Sequence, residues 1–97
     1  MMEEPFINEL CDMVVIENQR GLHARAAAKF VRALETFQAD ITVVHNDMRV
    51  SGRSIMGLMM LAATRGTQIK LCASGHDALA ALNVLTDLIK RKFDENE

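Results

Sequence analysis

GLHARAAAKFV, residues 21–31, marks the point where a loop becomes an amphipathic helix. Apolar side chains recur at helical spacing from Ala27 to Leu34, whereas basic side chains share another face. The helix is predicted to begin at or beside His23, where unpaired backbone N–H groups carry partial positive charge. The stretch therefore predicts a histidine at a loop-to-helix junction that favours a bound anion.

Strand patterns flank this helix on both sides. The β-rich run at residues 13–17 predicts a first strand before it. Beyond it, apolar residues alternate on either side of Asn46-Asp47, a pair that tolerates the backbone angles of a tight hairpin turn. A further alternation over residues 67–73 predicts a fourth strand with one buried face.

Two more helices complete the pattern. Ser54 precedes the apolar run at residues 55–63 and can cap the free N–H groups of a short helix. An apolar stripe from Ala78 to Ile89 predicts another helix, which ends in basic residues. The order β-α-β-β-α-β-α predicts an α+β fold, an open-faced two-layer sandwich in which a four-stranded antiparallel sheet carries three helices on one face.

Length and charge restrict the class of protein. With 97 residues the chain is long enough for one compact core. We expect an N-terminal extension at residues 1–11, one domain at residues 12–93 and a C-terminal tail at residues 94–97. The net charge of -2 gives no general attraction to nucleic acid or to an anionic membrane.

The expected location is the cytoplasm. No stretch approaches the roughly 18 uninterrupted apolar residues of a membrane span. The start MMEEPFINEL is acidic where a secretory signal would be basic. The two cysteines, Cys11 and Cys72, are a poor framework for a secreted domain, so we predict that both are reduced structural thiols.

His23 is the residue best suited to carry chemistry. Neutral imidazole is a competent nucleophile near neutral pH, and Arg25 can contact a transferred phosphoryl group. Gly21 can adopt backbone angles that let a partner approach closely. From these residues alone, a plain capping or surface histidine remains an open alternative. His45 and His76 lack partners at metal-ligand spacing, so we expect turn or surface roles for them and neither a metal nor a cofactor.

Three segments resemble the HPr family, the phosphocarriers of the bacterial phosphoenolpyruvate phosphotransferase system. They are GLHARAAAKFV at residues 21–31, SIMGLMMLAA at residues 54–63 and IKLCASG at residues 69–75, and the likeness extends over residues 12–92. The resemblance implies that His23 is phosphorylated on Nδ1 by Enzyme I and dephosphorylated by a IIA protein or domain. It also implies that Ser54 is the regulatory serine modified by HPr kinase/phosphorylase.

The resemblance further implies a docking surface beside the histidine. Its apolar part comprises Ile55, Met56 and Met59, while Lys29 and Arg32 are candidates for steering acidic partners. The core positions of the same helical segment are predicted to be Leu58, Leu61 and Ala62.

Ala26 departs from the family, most of which has proline after the arginine. Alanine removes only pre-organisation of the first helical turn and no reactive group. Together with MGLMMLAA, this departure resembles the alphaproteobacterial HPr forms, which are often regulatory.

We therefore expect a monomeric phosphoryl carrier and not an enzyme with its own substrate pocket. The glycine-rich phosphate loop with a following arginine that an acylphosphatase needs is not found. The alternative function is an HPr-like regulatory module that controls partners without serving sugar transport.

Overall fold

The computed structural model describes residues 9–96, and their elements follow the predicted order. The strands are β1 (Glu9–Val15), β2 (Asp40–His45), β3 (Met48–Ser51) and β4 (Gln68–Ser74); the helices are α1 (Ala24–Ala33), α2 (Ile55–Met60) and α3 (Ala78–Lys90), followed by a short 3-10 helix (Lys92–Asp94). The strands form one antiparallel sheet in the order β1-β4-β2-β3. The predicted α+β sandwich is confirmed.

The core lies between the helices and one face of the sheet. Phe30 of α1, Leu58 of α2 and Leu85 of α3 are fully buried. They face strand residues such as Leu71, which alternate with more exposed neighbours as expected for a sheet with one covered face. Among the described residues, the helices pack on one face of the sheet and leave the other face without a helix.

Local turn and cap signals are borne out. Asn46 adopts a φ of 56° in the turn that joins β2 to β3. The helix α2 begins directly after Ser54, as predicted, but ends at Met60. Ala62 follows with a φ of 52° and is exposed, so its assignment to the core was wrong. The chain leaves the helix there, and Ala63 is the buried residue instead.

The first strand lies earlier than predicted. It runs over Glu9–Val15 and not over residues 13–17, because its pairing with β4 extends as far as Glu9 opposite Ser74. Residues 9–11 of the expected extension are therefore part of the sheet, and the rest of that extension lies outside the described residues. Ile16, just after the strand, is fully buried.

Cys11 and Cys72 form a disulfide, which corrects the prediction of two reduced thiols. Their strands pair antiparallel and place the two residues directly opposite each other, with 4.1 Å between the Cα atoms. Composition could not reveal this, because the bond depends on the register of two strands 61 residues apart.

Along residues 9–96, no helix is both long and apolar enough to cross a membrane.

Candidate functional site

His23 occupies the N-cap of α1, as predicted. Its backbone is extended, with φ of -76° and ψ of 178°, and its ring Nδ1 accepts a hydrogen bond from the backbone N–H of Arg25 at 3.3 Å. The first N–H groups of a helix have no acceptor inside the helix and attract negative charge. The ring nitrogen Nδ1 therefore lies at the positive end of α1.

Glu95 contacts the opposite edge of the His23 ring. The distance from His23 Nε2 to Glu95 Oε2 is 2.6 Å, and Asn18 Nδ2 donates to Glu95 Oε1 at 3.0 Å. Asn18 is fully buried and also donates to the carbonyl oxygen of Gly21 at 2.9 Å. The expected C-terminal tail thus includes a residue of the site, and sequence reasoning missed both Asn18 and Glu95.

The carboxyl group of Glu95 is held in its ionised form. Burial opposes ionisation, but hydrogen bonds from Asn18 and His23, with the charge of Lys29 nearby, outweigh it and lower the pKa of Glu95. A lowered carboxyl pKa contributes stability that is present above the ordinary value and is lost as the pH falls through the lowered one. At neutral pH the carboxylate is therefore a hydrogen-bond acceptor facing the ring.

The C-terminal segment is fastened to the domain just before Glu95. Phe93 is fully buried, and Lys29 Nζ donates to its carbonyl oxygen at 2.6 Å. Lys92, Phe93 and Asp94 have φ values of 60°, 55° and 60°, which turn the chain after α3. Lys29, predicted to steer partners, has an internal structural contact here; its steering role stays a prediction.

The structure explains the glycine at position 21 by a different requirement from the predicted one. Its φ is +66°, and a Cβ built on it would lie 2.3 Å from the carbonyl oxygen of Ala63. Leu22 N–H donates to that same oxygen at 2.9 Å. Glycine is required for backbone packing against the segment after α2, and the residue is buried and unavailable to a partner.

The guanidinium groups of α1 are exposed. Along residues 9–96, the Arg25 side chain has no hydrogen-bond or ion-pair partner, so it is free to meet an anion at the start of the helix. Arg32, one of the two predicted steering residues, is also exposed. Ala26, where most of the family has proline, is fully buried in the first turn.

The Ser54 hydroxyl caps α2 by accepting the backbone N–H of Gly57 at 2.9 Å. The apolar patch of α2 consists of four exposed side chains, whose exposed fractions are 41% for Ile55, 72% for Met56, 42% for Met59 and 64% for Met60. Met60 lies beside Met59 at the helix end, and its exposure makes it part of the same patch. The helix that carries this patch, α2, packs against α1, whose N-cap is His23.

His45 is the half-buried last residue of β2, and His76 is exposed in the turn after β4. His45 Nδ1 lies 3.1 Å from the carbonyl oxygen of Leu61, and His76 Nε2 lies 4.0 Å from the Asp77 carboxylate. Among the described residues, one group of metal-ligand types, consisting of Glu9, Cys11 and Cys72, has its ligand atoms within 4.8 Å of one another. The two sulfurs are bonded to each other and so are not free to ligate.

A partly buried histidine at a helix N-terminus with an exposed arginine beside it suits a protein that holds an anionic group on the ring. The sequence profile described as "PTS HPr component phosphorylation site" matches residues 11–91. The HPr of Neisseria meningitidis serogroup A is 50% identical over 84 residues, covering 87% of this chain and 94% of that protein.

Solved structures agree with this match. HPr-C-His from Thermoanaerobacter tengcongensis superposes with a TM-score of 0.86 at 40% identity, covering 91% of this chain and 99% of that one. An HPr dimer from the same organism gives a TM-score of 0.71 at 40% identity, covering 97% of this chain and all of that one. The chain therefore belongs to the HPr family of phosphocarrier proteins.

Proposed function

We propose that His23 Nδ1 accepts a phosphoryl group from phospho-Enzyme I and passes it to a IIA protein or domain. One observation carries the choice of atom. The Glu95 carboxylate, only an acceptor when ionised, lies 2.6 Å from Nε2, so Nε2 must donate a proton to it. The neutral ring then has its lone pair on Nδ1, at the N-terminus of α1.

The transfer step follows from this tautomer. The Nδ1 lone pair attacks phosphorus, the P–N bond forms, and the bond from phosphorus to the donor breaks. The ring becomes positively charged as it gives up that lone pair, and the Glu95 carboxylate stabilises the charge at Nε2–H. Transfer to the acceptor is the same step in reverse, so the ring needs no separate general base.

The transferred phosphoryl group would lie beside positively charged groups at the N-terminus of α1. The free backbone N–H groups of α1 and the exposed Arg25 guanidinium lie at the same helix end as Nδ1. Only interactions that strengthen as the phosphoryl group arrives accelerate the step. Arg25 fits that role because it has no other partner along residues 9–96 to give up.

Ser54 gives the site a second level of control in this proposal. A phosphate on its hydroxyl would sit at the N-terminus of α2, where the fold tolerates negative charge. The same charge would border the exposed patch of Ile55, Met56, Met59 and Met60 and impair docking of Enzyme I. We assign the modification to an HPr kinase/phosphorylase and the working state to a monomer in the cytoplasm.

Phosphate uptake tests the central claim. The full chain is incubated with Enzyme I and phosphoenolpyruvate, and intact mass is read before and after brief acid treatment. We expect one acid-labile phosphoryl group on the unchanged chain and on His76→Ala, a control at an exposed histidine. His23→Ala should take up none. Stable uptake by His23→Ala would refute the assignment.

A further inference from the structure

The covalent link between β1 and β4 lies on the face of the sheet away from the helices. On β4, Cys72 alternates with Leu71 and Ala73, which belong to the core. On β1, Cys11 is three residues before the buried Val14 and is itself exposed. Cys11 is therefore the exposed residue of the pair, while Cys72 is almost fully covered.

The linked strand β1 lies at the edge of the sheet. Within residues 9–96, β1 pairs with β4 alone, whereas β4 is paired on both sides. Several β1 side chains besides Cys11 are exposed, including Leu10, Met13 and Val15. An edge strand with little buried side-chain area is among the first elements to open locally. The bond joins this strand to β4 near the N-terminal end of the strand.

We propose that Cys11 and Cys72 form a reversible redox modification site, reduced by dithiols, that fastens the edge strand β1 to the rest of the sheet. The bond joins residues 61 apart, so it restricts a long loop of the unfolded chain. Oxidation thus stabilises the fold, and reduction leaves β1 held by its hydrogen-bond ladder with β4 and by the packing of Val14 in the core. Nothing in this device involves the His23 ring.

The exposure of Cys11 decides which cysteine of the disulfide a reductant attacks. A thiolate of the dithiol attacks the Cys11 sulfur, the S–S bond breaks, and Cys72 leaves as a thiolate that takes a proton from water. The second thiol of the reductant then attacks the reductant sulfur that is bonded to Cys11, and Cys11 is released as a thiol. The dithiol is oxidised to a disulfide, and two electrons and two protons end on the two cysteines.

The proposed location strengthens the case for reversibility. In the cytoplasm, thiol reductants keep most cysteines reduced, and the disulfides that do form there are mostly transient or sensing. This argument from location rests on the proposed function, whereas the reduction of the Cys11–Cys72 bond by a dithiol does not. The experiment below does not measure phosphate uptake. A failure of the redox proposal can therefore be distinguished from a failure of the proposed function.

The test combines thiol labelling with thermal unfolding of the full chain. Protein equilibrated with oxidised glutathione is treated in the folded state with dithiothreitol, quenched with N-ethylmaleimide and weighed. We expect no adducts before reduction and two after it, without denaturant. Reduction should lower Tm by about 10 to 20 °C. Hydrogen exchange should accelerate in β1.

Two variants separate the bond from a general effect of substitution. Cys11→Ser should unfold at the Tm of the reduced protein, with or without dithiothreitol. Met13→Ser, an exposed position on the same strand, should keep the full response to dithiothreitol. Adducts on the glutathione-treated protein, adducts that need denaturant, or a Tm that ignores dithiothreitol would each overturn the proposal.

Discussion

Glu95→Gln is the sharpest perturbation of the phosphoryl site, because it keeps the shape of the side chain and changes what it can donate. In the structure, Asn18 donates to one carboxylate oxygen and His23 Nε2 contacts the other. If the glutamine oxygen keeps the Asn18 bond, its NH₂ group faces Nε2. That nitrogen must then accept, which moves the ring proton to Nδ1 and removes the lone pair that attacks phosphorus.

The size of the effect follows from the bonds involved. A hydrogen bond to a charged group contributes a net ~1.5–3 kcal/mol, and one between neutral groups about 1 kcal/mol. Loss of the charged bond to the reactive tautomer alone costs the reaction about 1.5–3 kcal/mol. At ~1.4 kcal/mol per factor of ten, phosphorylation of His23 should slow by about 10- to 100-fold.

A second substitution distinguishes tautomer control from loss of charge. Glu95→Ala removes the carboxylate as well, but it leaves Nε2 to water and lets both tautomers form. We therefore expect Glu95→Ala to be impaired less than Glu95→Gln. If the carboxylate acted only through its charge, the two variants would be equally slow.

Single-turnover labelling measures these rates. Phospho-Enzyme I is mixed with excess chain in a rapid-quench apparatus, and phosphohistidine is counted before acid can hydrolyse it. Asp94→Asn is the matched control, since that carboxylate is adjacent in sequence and pairs with Arg91 at the surface. A Glu95→Gln rate within twofold of the unchanged protein, or an equal loss in Asp94→Asn, would refute the reasoning.

Three further outcomes are expected. Arg25→Ala should slow transfer about tenfold with an unchanged Tm, since the exposed guanidinium supports charge and not packing; the same single-turnover assay checks it. Phe30→Ala should lower the free energy of unfolding by about 3–5 kcal/mol in urea titration, because the ring is fully buried. Ser54→Asp should leave Tm nearly unchanged yet weaken transfer from limiting Enzyme I; undiminished transfer would exclude α2 from the docking surface.

Features of the fold that depend on near neighbours in sequence were predictable. The start of α1 at His23, the turn at Asn46-Asp47 and the Ser54 cap all follow from a few consecutive residues. Each is a local backbone requirement that the residue types at that position predict. The order of elements followed because these signals lie at clear intervals.

Features that join distant segments were not predictable. Glu95 is 72 residues from His23, and Cys11 is 61 residues from Cys72. Neither pairing has a spacing rule, because both depend on sheet register and on how the chain turns after α3. The core prediction for Ala62 was wrong for another reason. Helical periodicity assumes that the helix continues, and α2 ends at Met60.

The separation of roles on the His23 ring explains why the missed residue matters. The phosphoryl group is proposed on Nδ1 and the carboxylate contacts Nε2, so the two anions occupy opposite edges of one ring and do not compete for a nitrogen. The carboxylate can hold the ring before, during and after transfer. Its position depends on Phe93, buried in the core, and on Lys29, bonded to the Phe93 carbonyl. The proposed chemistry of His23 therefore depends on how the segment that carries Glu95 packs.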